Sequence, residues 1–99
     1  MNSFFVSKAA KTDLKNIAAY TQKSWGEGQR RTYIKELDVT FHFLAENPTS
    51  GVSCNYIANK LRKHHHKHHT IFYENVGESI LIIRILHKSM DVELQPKEP

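Results

Sequence analysis

The stretch "IFYENVGESILIIRILH", Ile71 to His87, decides the fold class. β-branched and aromatic residues flank a polar break at Asn75 to Glu78, with Gly77 inside it, and this pattern reads strand, turn, strand. From Ile80 to Leu86 the chain is apolar at every position except Arg84. Alternation would mark a strand wet on one face, whereas a continuous apolar run marks a central strand covered on both.

Toward the N-terminus the apolar period lengthens from two to 3.6. Ala10, Leu14, Ile17, Ala18, Thr21 and Trp25 recur at helical steps and form one face of a helix starting at Lys8. Ser7 is placed to cap it, and "SFFV" before the cap is a short β-like run. Gly26 is a natural stop, and the short "WGEGQ" connection favours an antiparallel helical hairpin. The second helix is expected from Glu27 to Glu46, with Tyr33, Ile34, Leu37, Phe41 and Leu44 as its main stripe and "ENP" as its end. Val39 and Phe43 sit on the back of that helix. Such a pair is either wrapped by another part of the domain or left open to a protein partner, and both readings stand. Residues 48 to 59, "PTSGVSCNYIAN", read as a surface loop with one helical turn. The element order is β-α-α-β-β-β: an α+β domain with an N-terminal helical hairpin packed on an antiparallel sheet.

The 99 residues, 39% hydrophobic, suit one domain, expected over 1–92, with the polar "ELQPKEP" as a flexible tail over 93–99. No apolar run approaches the roughly 20 residues needed to span a bilayer, so no membrane association is expected. "MNSFFVSKAAK" has too short an apolar patch for a signal peptide, and the single cysteine, Cys54, suits a reducing cytoplasm. Cys54 is read as a buried spectator thiol. The net charge of +4 is compatible with nucleic acid or an acidic protein, and by itself decides little. The basic residues scatter over the helices with no recognition helix, so no direct specific nucleic-acid binding is expected.

Within "KHHHKHHT", Lys63 to Thr70, five histidines occupy six positions. The segment precedes a strand and is expected to form a hairpin turning near His66 to His68. His64 and His66 share a face of an extended segment. Adventitious metal affinity at His64, His66 and His68 follows, but a built site recruits ligands from separate elements with partners holding each ring. No Cys, Asp or Glu lies in the run. A solvated basic hairpin is expected, with no physiological metal and no cofactor. If the cluster is exposed and titrates near the usual ~6.5, an acidic partner should bind more tightly as pH falls.

Taken in order, Trp25-Gly26, Ala45 to Pro48, Leu61-Arg62, His69 with Ile71 to Tyr73, Arg84 with Leu86-His87, and Met90-Asp91 resemble the ParE toxins of the RelE/ParE superfamily over nearly the whole chain. The spacing from Leu61-Arg62 to His69 matches that family, so the histidine run is not an insertion. Its turn departs from the family in lacking Gly and Pro. The resemblance implies the toxin of a type II toxin–antitoxin system, held by a ParD-like antitoxin and poisoning DNA gyrase when free. The antitoxin of such pairs folds a disordered acidic-apolar segment onto the toxin, and Val39, Phe43, Trp25 and Tyr33 are the expected contacts. For the target, the expected contacts are His87, Lys88, Met90, Asp91, Arg62 and Lys63.

The superfamily also contains RelE-like ribosome-dependent ribonucleases. Cleavage of RNA needs a base, cations for the phosphate and an acid. Arg62, Arg84 and His87 are the candidates, with Tyr73 weaker. Arg84 and His87, three apart on a strand, face opposite sides of the pleat unless it bends, and each has a structural alternative as an edge ion pair or a strand-end cap. A binder rather than an enzyme is therefore expected, with a ribonuclease or a non-toxic antitoxin-binding module as alternatives.

Overall fold

A computed structural model describes residues 3–88. Strand β1 (Ser3–Val6) leads into helices α1 (Lys8–Trp25) and α2 (Glu27–Glu46). These are followed by β2 (Val52–Ser53), β3 (Arg62–His66), β4 (His69–Val76) and β5 (Ser79–His87). The five strands form one sheet in the order β1-β5-β4-β3-β2. The α+β class and both helices stand as expected, but the sheet is mixed rather than antiparallel. β1 runs parallel to β5, from Ser3 opposite Ser79 to Val6 opposite Ile82, while the other three pairings are antiparallel. The helical hairpin carries the chain across the sheet between β1 and its neighbours, which is what a parallel pairing requires.

The junction after β1 shows how the sequence fixes that pairing. The Ser7 hydroxyl accepts from the Ala10 N–H at 3.0 Å, capping α1, and donates to the Ile83 carbonyl at 2.7 Å. The Ser7 N–H donates to the Ile82 carbonyl. Beyond Ile82, β5 has no strand on its β1 side, and Asp13 of α1 takes over there. Its carboxylate accepts the Ile85 N–H at 2.9 Å and a two-pronged bond from Arg84, Nε at 2.8 Å and Nη2 at 3.0 Å.

Ile83 is an extra residue in the β4–β5 ladder, where Phe72 faces Arg84 but Tyr73 faces Ile82. This bulge and the two covered faces account for the unbroken apolar run. Ile80, Ile82 and Ile85 pack toward the helices with Ile17, Leu37, Phe41, Leu44, Ile71 and Tyr73. Leu86 and Ile83 pack on the opposite face with Phe72, Cys54, Ile57 and Leu61. The segment read as a surface loop thus contributes β2 and the cover of this second core. Of its apolar residues, too few to show a period, Cys54 and Ile57 point inward while Val52 and Tyr56 stay exposed. Cys54 is fully buried there.

Gly51 is dictated by contact. A methyl group on it would collide with the Tyr73 hydroxyl and lie 2.8 Å from the Lys63 carbonyl oxygen. That hydroxyl accepts the Gly51 N–H at 2.9 Å and donates to the Pro48 carbonyl at 2.8 Å, fastening the turn after α2 to the middle of the sheet.

Candidate functional site

The surface that stands out lies along the outward side of α2, where it runs beside the β3–β4 hairpin. Val39 and Phe43 are 58% and 48% exposed, so no part of the described domain wraps them. Val39 lines a hollow of about 430 Å³ with Thr32, Lys35, Glu36, Thr40 and His66. Phe43 approaches the His64 ring, with centroids 6.4 Å apart. A second hollow, between the helices, is floored by Leu14, Ala18 and Ile34 and edged by Lys15 and Arg30. Exposed apolar side chains with a cationic rim mark a protein-contact surface.

The histidine hairpin is tied to α2 from beneath. β3 and β4 are joined by two residues, Lys67 and His68, with His66 opposite His69. Lys67 takes φ of 52°, a conformation that costs a non-glycine residue about 1–2 kcal/mol. Its ammonium lies 2.8 Å from Glu36 of α2, whose carboxylate also has the His66 ring at 3.4 Å. The Lys67 bond is the main reason that the Glu36 carboxyl sits below its ordinary range, outweighing the opposing effect of burial. This tether supplies what a glycine would otherwise have supplied at the turn.

Tyr33 belongs to that support, not to the open surface. It is 5% exposed, and its hydroxyl is 2.6 Å from His69 Nδ1 and 3.3 Å from the His66 carbonyl. Burial pushes the phenol up to about 12. Burial, followed by the neighbouring His87, His68 and His66, pushes His69 down to about 4. Both groups are therefore neutral, and the His69 tautomer sets the direction of their bond: with the phenol donating to the His66 carbonyl, the imidazole donates from Nδ1. His87 meets His69 edge-on, with ring centroids 5.6 Å apart. His64 is also lowered, first by burial and then by His66 and His65. The hairpin is thus not the uniformly titrating cluster that its composition suggests. Among the described residues no three His, Cys, Asp or Glu side chains gather as a metal-binding group, so His64, His66 and His68 do not converge.

Other expected contact residues are dispersed. Trp25 is 72% exposed at the helical hairpin. Lys63 is buried on the far face of the sheet, and Lys88, exposed, follows β5 with its N–H on the His68 carbonyl. Met90 and Asp91, like the tail over 93–99, lie outside the described residues.

The three residues proposed for RNA chemistry are not brought together. Arg62 opens β3 and donates to the Gly51 carbonyl at 2.7 Å. Arg84 is held by Asp13, which keeps the guanidinium raised in pKa, and His87 ends β5 against His69. β4 separates β3 from β5, and His87 stands level with His66, four residues along β3 from Arg62, or roughly 13 Å. Tyr73 is fully buried and committed to Pro48 and Gly51. Sequence reasoning missed Glu36 and Thr40. They follow Tyr33 at three- and four-residue steps, a polar continuation of the stripe that points at the hairpin.

Comparison with known proteins agrees with this architecture. A family model described as the ParE toxin of the type II toxin–antitoxin system parDE matches residues 4–92. The chain is 35% identical over 91 residues to Toxin ParE1 of Caulobacter vibrioides, covering 92% of this chain and 94% of the relative. It is 35% identical over 91 residues to Toxin ParE1 of Mycobacterium tuberculosis H37Rv, covering 91% and 93%. It is 35% identical over 95 residues to Toxin ParE of Escherichia coli, covering 93% and 90%. A chain from the solved chromosomal ParDE system of P. aeruginosa shares the fold, with a TM-score of 0.75 at 17% identity, over 88% of this chain and 96% of that one. The chain belongs to the ParE family of type II toxin–antitoxin toxins.

Proposed function

We propose that this toxin acts in the cytoplasm by binding and poisoning DNA gyrase, and that a ParD-like antitoxin neutralises it by folding an acidic-apolar segment along α2 and the hairpin. The observation that carries the antitoxin surface is the exposure of Val39 and Phe43 beside a hollow on an otherwise well-packed helix. The rim formed by Lys15, Lys35 and Arg30 complements acidic residues, and a disordered partner gains order by burying its apolar ones. The gyrase target rests on membership of the family. A binding role is favoured over RNA cleavage because Arg62, Arg84 and His87 each serve a different structural contact. None of the described helices is long and apolar enough to cross a membrane.

The test is the double variant Val39→Asp/Phe43→Asp. Both side chains are exposed, so the variant should keep the parent's circular dichroism and melting. Affinity for the antitoxin should fall by roughly 100-fold, the loss of two contact residues at about 1–2 kcal/mol each. Unchanged affinity would remove this surface from the account.

A further inference from the structure

A second concave surface lies at the other end of β3 from the histidine turn. It is a cleft of about 490 Å³ between the 55–60 segment and the β4–β5 turn, within the size range of small-molecule sites. Ser53, Asn55, Asn59, Lys60, Arg62 and Asn75 supply its polar lining, and no Asp or Glu lines it. Amide and hydroxyl donors with two cations and no carboxylate make an environment for an anion. Glu78, next to the lining Gly77, is exposed and outside the lining.

The backbone at Lys60 and the guanidinium of Arg62 are both fixed by hydrogen bonds, while the Lys60 side chain is exposed. Lys60 has φ of 68°, the αL conformation that a non-glycine residue adopts at a cost. Its N–H donates to Asn55 Oδ1 at 2.9 Å, so the loop is latched by a residue of the same cleft. Arg62 is oriented by the carbonyls of Gly51, at 2.7 Å, and Thr49, at 3.4 Å, which aim the guanidinium without neutralising it.

We propose that the cleft is a phosphate-binding site, with Lys60 and Arg62 as the charge partners and Asn55, Asn59 and Asn75 as flanking hydrogen-bonding groups. The ligand is a nucleotide phosphate or the phosphate backbone of a nucleic acid, which present the same chemistry. The site is separate from the α2 surface, since four residues of β3, roughly 13 Å, lie between Arg62 and His66. A toxin engaged along α2 would still have it available.

The experiment is an amide-resolved NMR titration of the full chain with three probes: inorganic phosphate, adenosine monophosphate and a short single-stranded oligodeoxynucleotide. Saturable shifts should concentrate at residues 53, 55, 59–62 and 75–77, with the α2 amides unmoved. Lys60→Gln removes a cation. Asn55→Asp keeps the acceptor for the Lys60 N–H while adding a negative charge. Each should weaken phosphate binding at least about tenfold, the loss expected for one charge-assisted hydrogen bond, with the rest of the spectrum preserved. An oligonucleotide that binds more tightly than the mononucleotide, with affinity falling steeply with salt, identifies a nucleic-acid backbone. Equal affinities identify a free nucleotide. Shifts spread over the basic surface without saturation, or variants that bind like the parent, would overturn the proposal.

Discussion

Asp13 and Gly51 carry consequences out of proportion to their size. Asp13 stands in for a missing strand at the edge of β5, satisfying one backbone N–H and one guanidinium at once. Burial pulls its carboxyl up, but the Arg84 bond, the Ile85 N–H and the Arg84 charge together hold it below the ordinary carboxylate range. Asp13→Ala should therefore cost about 1–3 kcal/mol, because it leaves the Ile85 N–H unpaired, and chemical denaturation would read this directly. A depressed folded pKa means that the unfolded chain binds the proton more readily. The Asp13 contribution is present above the usual carboxylate pKa of ~3.9 and is lost as pH falls below it. At Gly51 even Ala should destabilise by about 1–3 kcal/mol, since the side chain can enter only by displacing the Tyr73 hydroxyl from Pro48 and Gly51. A G51A melting temperature equal to that of the parent would show that the turn relaxes freely.

Among the elements, the histidine hairpin repays the closest look. It was legible as a hairpin, and its turn fell within the expected His66 to His68, but its chemistry was not legible. The reason is tertiary: Tyr33 of α2 reaches His69, and burial there, followed by His87, His68 and His66, sets its charge state. Nothing within "KHHHKHHT" separates a buried histidine from an exposed one. With its midpoint lowered to about 4, His69 stays neutral through the range in which a free imidazole titrates. Stability from this site is complete above the unfolded value of ~6.5, and is lost as pH falls from there toward about 4, because only the unfolded chain takes up the proton readily. Proton NMR of the His69 ring should place its midpoint near 4, and a midpoint near 6.5 would contradict the buried Tyr33–His69 pair. It follows that His69 adds little to any gain in antitoxin affinity on mild acidification, and that His64, also lowered, adds less than a free imidazole would. The helices were legible to the residue, since Ser7, Gly26 and Pro48 act within the chain neighbourhood in which they are read. β2 was not, because a two-residue strand has no period, and the parallel placement of β1 was not, because it depends on contacts with β5 more than seventy residues away.

At the scale of the whole molecule, one sheet supports two hydrophobic cores and two separate surfaces. The helix-side core puts Tyr33 under the hairpin and leaves Val39 and Phe43 outside. The second core, under the 54–61 segment, frames the cation-lined cleft at the opposite end of β3. The open α2 face was half legible: the stripe showed that Val39 and Phe43 point away from the main core, but not whether another segment covers them. The candidates for RNA chemistry were chosen by residue type, and the fold then assigned Arg84 to Asp13 and Arg62 to Gly51. That dispersal supports the proposed binding role, in which the toxin would act by holding another enzyme in one state. The most direct measurement is a supercoiling and cleavage assay of purified bacterial gyrase with ATP, titrated with the antitoxin-free chain. The account predicts loss of supercoiling together with trapped, cleaved DNA. Unaffected gyrase in the presence of folded protein, alongside cleavage of mRNA on ribosomes, would contradict it and return Arg62, Arg84 and His87 to consideration as catalytic groups.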